Sequence, residues 1–221
     1  MKKVKKIMAY IIIILISISI INISYTKVEA NDLKLTDVKE GDWFKSNVEL
    51  LIGKGIVNGY TDGTFKPSNT VTKAQFIKMA ITSIGRDDIQ LDSEYWANNY
   101  INVAYQEGYI ESKYSKDQNY EAPITRGEMA IIIAKIINEE ASTQDIIKYA
   151  DEIKDIDKVN GQDMLYIIET YKYGILKGYP DGEFKPNNNA TRAEASTMIV
   201  RLLDKIKDRS VPQVISGTGG N

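Results

Sequence analysis

The sequence predicts a mainly α protein built from three helix-loop-helix repeats. Three observations carry that class. The stretch Gly55-Ile56-Val57-Asn58-Gly59-Tyr60-Thr61-Asp62-Gly63-Thr64-Phe65-Lys66-Pro67 returns almost unchanged as Gly174-Ile175-Leu176-Lys177-Gly178-Tyr179-Pro180-Asp181-Gly182-Glu183-Phe184-Lys185-Pro186, and a worn copy opens at Gly108-Tyr109-Ile110. A Thr follows each leading Gly after 17 residues, at Thr72, Thr125 and Thr191. Beyond each Thr, apolar residues recur in steps of four: Phe76, Ala80 and Ile84, then Met129, Ile133 and Ile137, then Ala195, Ile199 and Leu203. Self-similarity at a fixed spacing marks a repeat array, and the four-residue step lays those side chains along one helical face. One short helix pair cannot cover such a stripe, whereas three pairs can share a core.

The chain begins with a different signal. Lys2, Lys3, Lys5 and Lys6 precede an almost purely apolar run from Ile7 to Ile21, and Val28-Glu29-Ala30 ends the segment. A basic start, a short apolar centre and a small-x-small exit define a secretory signal peptide over 1–30. The apolar run falls short of the roughly 20 residues that a membrane-spanning helix needs. An uncleaved anchor is the competing reading, and either one puts the body outside the cytoplasm.

Copy one (31–86) carries Asp37-Val38, then Gly41-Asp42-Trp43-Phe44, then an apolar face at Val48, Leu51 and Ile52. Asp42 is read as the N-cap of its first helix and Gly55 as the stop. The Asp62-Gly63 pair forms a turn in which Gly accepts positive φ, and Phe65 and Pro67 pin that loop to the core. Copy two (87–144) has Trp96 12 residues before Gly108, as Trp43 stands before Gly55, with Ile101, Ala104 and Tyr105 on the apolar face. Its loop lacks both the Asp-Gly turn and the Phe-Lys-Pro. Copy three (145–206) is read to begin near Tyr149-Ala150-Asp151, with an insertion before its first helix, Gln162 in the Trp position and Ile167 and Tyr171 on the face. Residues 207–221, ending Ser216-Gly217-Thr218-Gly219-Gly220-Asn221, read as a flexible tail.

Composition narrows the function. The chain has no Cys and no His. Disulfides, thiol nucleophiles and thiolate metal sites are excluded, and the commonest general base is missing. Without 1–30 the chain keeps 23 basic and 29 acidic side chains, a net charge of −6. Such a balance argues against binding to a nucleic-acid backbone. The ligand ladder of a calcium loop is also missing, and no cofactor is expected.

Thr191-Arg192-Ala193-Glu194 has the spacing of a capping box, and Thr125 to Glu128 and Thr72 to Gln75 repeat it. Capping explains the Thr and the acid or amide. It does not explain Lys73, Arg126 and Arg192, three cations at the first helical position, where the helix dipole opposes positive charge. Three at one place suggest that they hold an anion near helix N-termini, whose free N–H groups also favour negative charge. The Gly59-Tyr60 and Gly178-Tyr179 loops offer the rest of a sugar site. Tyr60 and Tyr179 present stacking faces, and Asp62 and Asp181 accept from hydroxyls. Equally, each Asp can simply bond its own turn. Trp43 and Trp96 are read as core, because they fall in the apolar pattern.

At these residues the chain resembles the S-layer homology family, on the Trp-led first helix, the Gly-Ile-x-x-Gly-Tyr-x-Asp-Gly-x-Phe-x-Pro loop and the Thr-Arg-Ala-Glu helix start. The resemblance spans about Leu33 to Asp204, strongest in copies one and three. It implies a pseudo-threefold spindle around a central helical bundle, with grooves between repeats. It also implies non-covalent anchoring to the bacterial cell wall by a secondary cell wall polysaccharide carrying a pyruvate ketal. The ketal carboxylate would pair with Arg126 and Arg192, and with Lys73 by position. Lys73 replaces a fork-shaped guanidinium with a point charge, which weakens bidentate recognition. On this reading the protein is a secreted, monomeric wall-surface module with no catalytic residues, no nucleic-acid partner and no membrane contact once the signal is removed. The competing functions are a self-assembling surface-layer protein and a wall-glycan hydrolase using Asp62, Asp181, Glu128 and Glu194.

Overall fold

A computed structural model describes residues 35–86, 89–92, 94–112 and 115–210. The expected export signal, the start of copy one at Leu33 and the last eleven residues of the expected tail lie outside the described residues. Seven α-helices are described: α1 (Lys45–Gly53), α2 (Lys73–Ser83), α3 (Asn98–Gln106), α4 (Arg126–Ile137), α5 (Thr143–Glu152), α6 (Gly161–Lys172) and α7 (Arg192–Ser210), with a 3₁₀ turn at Ile156–Lys158. The protein is mainly α, and its described β structure is limited to isolated bridges.

Copy one supplies α1 and α2, copy two α3 and α4, and copy three α6 and α7. The helices pair across copies: α2 packs on α3, α4 on α6 and α7 on α1. The three second helices, α2, α4 and α7, also touch one another at the centre. The stripes read from sequence explain this. Phe76, Ala80, Met129, Ile133, Ile137, Ala195 and Ile199 are fully buried, on faces too wide for one short partner to cover.

A backbone ring closes the threefold. Val71 N–H donates to Ala190 O at 3.1 Å, Ile124 N–H to Val71 O at 2.9 Å, and Ala190 N–H to Ile124 O at 3.4 Å. Each donor immediately precedes the Thr that opens a second helix. Gly55, Gly108 and Gly174 end the first helices at φ of 69°, 76° and 64°, where only Gly avoids a Cβ penalty.

Several sequence expectations change. Asp42 does not cap α1: Phe44 occupies that position with no side-chain cap, and the Asp42 carboxylate instead accepts from Lys39 N–H at 2.7 Å. Trp43 is not core but 62% exposed, edge-on to Phe44. Trp96 is half-buried against the core. Tyr105 is exposed, whereas its neighbours Ile101 and Ala104 are buried. Tyr149-Ala150-Asp151 lies inside α5, the inserted helix, which is amphipathic and capped by a Ser142–Asp145 box. The counterpart of Asp37 in copy three is Asp155, as their matching contacts below establish. Finally, α7 runs to Ser210, past the boundary expected at 206.

Candidate functional site

The three helix starts form complete caps. Thr72, Thr125 and the later Thr191 accept from the backbone N–H three residues on, and Gln75, Glu128 and Glu194 accept from the Thr N–H. The two remaining first-turn N–H groups are engaged by the next copy. Lys73 and Ala74 donate to Ala122 O and Tyr120 O, Arg126 and Gly127 to Asn188 O and Pro186 O, and Arg192 and Ala193 to Asn69 O and Pro67 O. The N–H groups that the sequence offered to an anion are therefore consumed by neighbouring loops. Any anion here meets side chains, not the helix terminus.

The cations follow the same rotation. Arg126 of copy two enters the copy-three loop. Its Nε donates to Phe184 O at 2.9 Å and its Nη2 to Lys177 O at 2.7 Å, with the guanidinium 4.7 Å from the Tyr179 ring and 4.9 Å from the Phe184 ring. Arg192 of copy three enters the copy-one loop identically. Its Nε donates to Phe65 O at 2.8 Å and its Nη2 to Asn58 O at 3.0 Å, between the rings of Tyr60 and Phe65 at 5.0 and 4.4 Å. Lys73 meets no such loop and pairs with Glu128 at 2.5 Å. Burial lowers the pKa of both arginines, and both stay charged at neutral pH. Each uses two of its five N–H donors on carbonyls, and none of the others has a partner among the described residues.

The loops receiving the arginines are held from behind by carboxylates. Asp37 accepts from Phe65 N–H and Lys66 N–H, both at 2.7 Å. Asp155 accepts from Phe184 N–H at 2.6 Å and Lys185 N–H at 2.9 Å. Lys66 and Lys185 sit at φ of 56° and 58°, a strained conformation for a residue with a Cβ. The carboxylate clamps secure it.

Asp62 and Asp181 do bond their own turns. Asp62 accepts from the Thr64 hydroxyl and N–H and pairs with Lys66 at 3.1 Å. Those contacts, the hydroxyl first, hold its pKa at about 2. Asp181 accepts from Glu183 N–H and pairs with Lys185 at 2.6 Å, and its pKa is lowered, mainly by the lysine. Tyr60 is 38% exposed, whereas Tyr179 is half-buried, with its hydroxyl on Glu194 at 3.3 Å. Gly59 and Gly178 precede these tyrosines. A Cβ on Gly178 would lie 3.2 Å from Glu183 O, so the loop closes tightly there. The junction of copies two and three carries a cleft of about 360 Å³ lined by Thr125, Gly127, Glu128, Ile131, Asn160, Asp163 and Pro186.

Comparison with known proteins supplies the family. The S-layer homology domain model matches residues 34–77 and 152–196, the two copies with intact loops. The chain belongs to the S-layer homology family. It is 31% identical over 181 residues to an amylopullulanase of Thermoanaerobacterium thermosulfurigenes, covering 79% of this chain and 10% of that protein. It is 27% identical over 164 residues to a cellulosome-anchoring protein of Acetivibrio thermocellus, covering 67% of this chain and 35% of that one. It is 21% identical over 177 residues to S-layer protein EA1 of Bacillus anthracis, covering 76% and 20%. The chain thus spans a small fraction of each of these relatives.

Within these S-layer homology repeats, sequence reading missed the clamp pair Asp37 and Asp155. The signal was present: each lies 28 or 29 residues before its Phe, in the only two copies that keep the Phe-Lys-Pro. It also missed that exposed Trp43 stands just before α1, whose Asn47 donates to Thr197 of α7 at 3.0 Å at the junction of copies three and one.

Proposed function

We propose that this chain is a non-catalytic anchoring module. It attaches to the bacterial cell wall by binding an anionic secondary cell wall polysaccharide, with the pyruvate-ketal sugar as preferred epitope, at the junctions between its three S-layer homology copies. The middle copy is included on its shared glycine, cap and ring geometry. The observation that carries the reading is the cross-copy insertion of Arg126 and Arg192. Each places a guanidinium with uncommitted N–H donors beside a tyrosine ring, the pairing that an acidic sugar needs: a planar fork for the carboxylate and an aromatic face for the ring. Arg126, Arg192, Tyr60 and Tyr179 are the contacts. Gly59, Gly178, Asp62 and Asp181 shape the loops, and Lys73, neutralised by Glu128, contributes least.

The name of the cellulosome-anchoring relative accords with this role. The hydrolase reading is disfavoured because its carboxylates are occupied: Glu128 and Glu194 in caps, Asp62 and Asp181 in turns. Among the described residues no helix is long and apolar enough to cross a membrane. Cosedimentation with purified cell walls, before and after chemical removal of the ketal carboxylates, tests the reading. Binding that depends on those carboxylates supports it. Equal pelleting with stripped walls, or release of soluble sugar during incubation, refutes it. Assembly into sheets without wall polymer would favour the lattice-forming alternative.

A further inference from the structure

We propose that Asn58-Gly59 is a self-modification site: the Asn58 side chain deamidates spontaneously, and the carboxylate that forms pairs with Arg192 and displaces the acidic sugar. The modification stands on local geometry, and its consequence for binding rests on the polysaccharide reading above. The chain contains two Asn-Gly pairs, and both follow a valine: Val57-Asn58-Gly59 and Val159-Asn160-Gly161. Glycine after asparagine leaves this reaction open, because no Cβ hinders the approach of its amide. Both asparagines are exposed. The fold treats their side chains differently. Asn160 caps α6: its Oδ1 accepts from Asp163 N–H at 3.1 Å, and its Nδ2 donates to the Asp163 carboxylate at 2.8 Å. Asn58 lies in the loop after α1, and neither its carboxamide nor Gly59 N–H has a hydrogen bond among the described residues. At Asn58 both reacting groups are uncommitted, whereas Asn160 must first give up two hydrogen bonds.

The Gly59 nitrogen loses its proton and attacks Asn58 Cγ. An N–Cγ bond forms, the Cγ–Nδ2 bond breaks, and ammonia leaves with the proton. Water then opens the cyclic succinimide at either carbonyl carbon. Attack at Cγ breaks the new bond and gives aspartate. Attack at the main-chain carbonyl carbon gives isoaspartate, in which the chain runs through Cγ and the old carbonyl becomes a free carboxylate. That carbonyl is the one that accepts from Arg192 Nη2 at 3.0 Å. Either product therefore adds a negative charge where Arg192 enters the loop. A carboxylate fixed on the loop pays no association entropy and so competes well with that of an incoming sugar. Isoaspartate also lengthens the backbone between buried Val57 and Tyr60, whose N–H is held by Thr64 O at 2.7 Å, so the stacking ring shifts as well. In copy three the equivalent acceptor is Lys177 O, on Arg126, and a lysine cannot form the succinimide. Of the two arginine junctions, the one at Arg192 ages.

The test incubates the intact protein in warm, mildly alkaline buffer over days. Peptide mass mapping follows both asparagines, labelling by isoaspartyl methyltransferase identifies isoaspartate, and cosedimentation with purified cell walls follows binding. Asn58 is expected to convert about tenfold or more faster than Asn160, and wall binding by the converted protein to weaken about fivefold or more. Asn58→Gln should hold its starting binding throughout the incubation. Fresh Asn58→Asp is expected to bind weakly at an unchanged melting temperature, which assigns the loss to charge and not to unfolding. Equal conversion of Asn58 and Asn160, or none, overturns the modification. Conversion with undiminished wall binding overturns the pairing with Arg192. If fresh protein does not bind walls, the polysaccharide reading falls, while the two conversion rates still decide whether Asn58 is the reactive site.

Discussion

Replacing Asp155 tests whether the loops that receive the arginines are held from behind. Asp155 is 3% exposed, and its two oxygens accept from Phe184 N–H at 2.6 Å and Lys185 N–H at 2.9 Å. In Asp155→Ala both donors lose a charged acceptor. Lys185 keeps its positive φ of 58° with nothing to enforce it. Hydrogen bonds to a charged group are worth about 1.5–3 kcal/mol each, so the loss is about 3–5 kcal/mol. Asp155→Asn retains one acceptor and loses roughly half of that. In a body of this size, each kcal/mol lowers the melting temperature by about 2–4 °C, which gives roughly 10 °C for the alanine variant. Urea denaturation followed by circular dichroism measures both. Asp37→Ala has equivalent bonds at a half-buried position and is expected to fall lower, at about 2–3 kcal/mol. A loss below about 1 kcal/mol for Asp155→Ala would refute the clamp.

Arg126→Ala is expected to destabilise by about 2–4 kcal/mol, through two unpaired carbonyls and lost stacking in a buried setting. Arg192→Ala should lose less, and urea midpoints compare them. Asp145, with its pKa held at about 2 first by Lys172 and then by Ser142, contributes to the α5 cap. Its folded pKa lies below the unfolded 3.8, so that contribution is complete above the unfolded value and disappears as pH falls towards 2. Carboxyl NMR titration should give a midpoint near 2, and an ordinary midpoint would remove the cap argument. Glu169 lines the cleft between α4 and α6, and burial raises its pKa above 4.5. Its charged form is therefore disfavoured in the fold, and Glu169→Gln should be neutral or stabilising at pH 7 by thermal melt. Gly55→Ala places a Cβ at φ 69° and should lose roughly 1 kcal/mol, read from the same melts.

Much of the architecture was legible because it is local. Gly55, Gly108 and Gly174 stop helices through one residue's φ. The Thr72, Thr125 and Thr191 boxes close within three residues. The apolar stripes follow from helical periodicity. The errors were local guesses that longer-range packing overrode. Asp42 turned back to Lys39 instead of capping α1. Trp43 fitted the apolar pattern yet landed on the outside, because α1 spends its buried face on Val48 and Leu51 against α7. Tyr149-Ala150-Asp151, read as the opening of copy three, fell at the end of α5, a helix that periodicity had not separated from the repeat.

Residue order alone carried the three repeats, the starts of the three second helices and the identity of the three cations, since these depend on spacings of a few residues and on one repeated period. It could not say which cation meets which loop. That pairing joins residues as far apart as Arg192 and Asn58, separated by 134 positions. It arises only when three copies close a ring and each helix start is pressed into its neighbour. The same closure consumes the first-turn N–H groups and sets Arg126 and Arg192 inside loops of the next copy. Charge balance at a junction depends on what the fold brings together, and no single copy contains it.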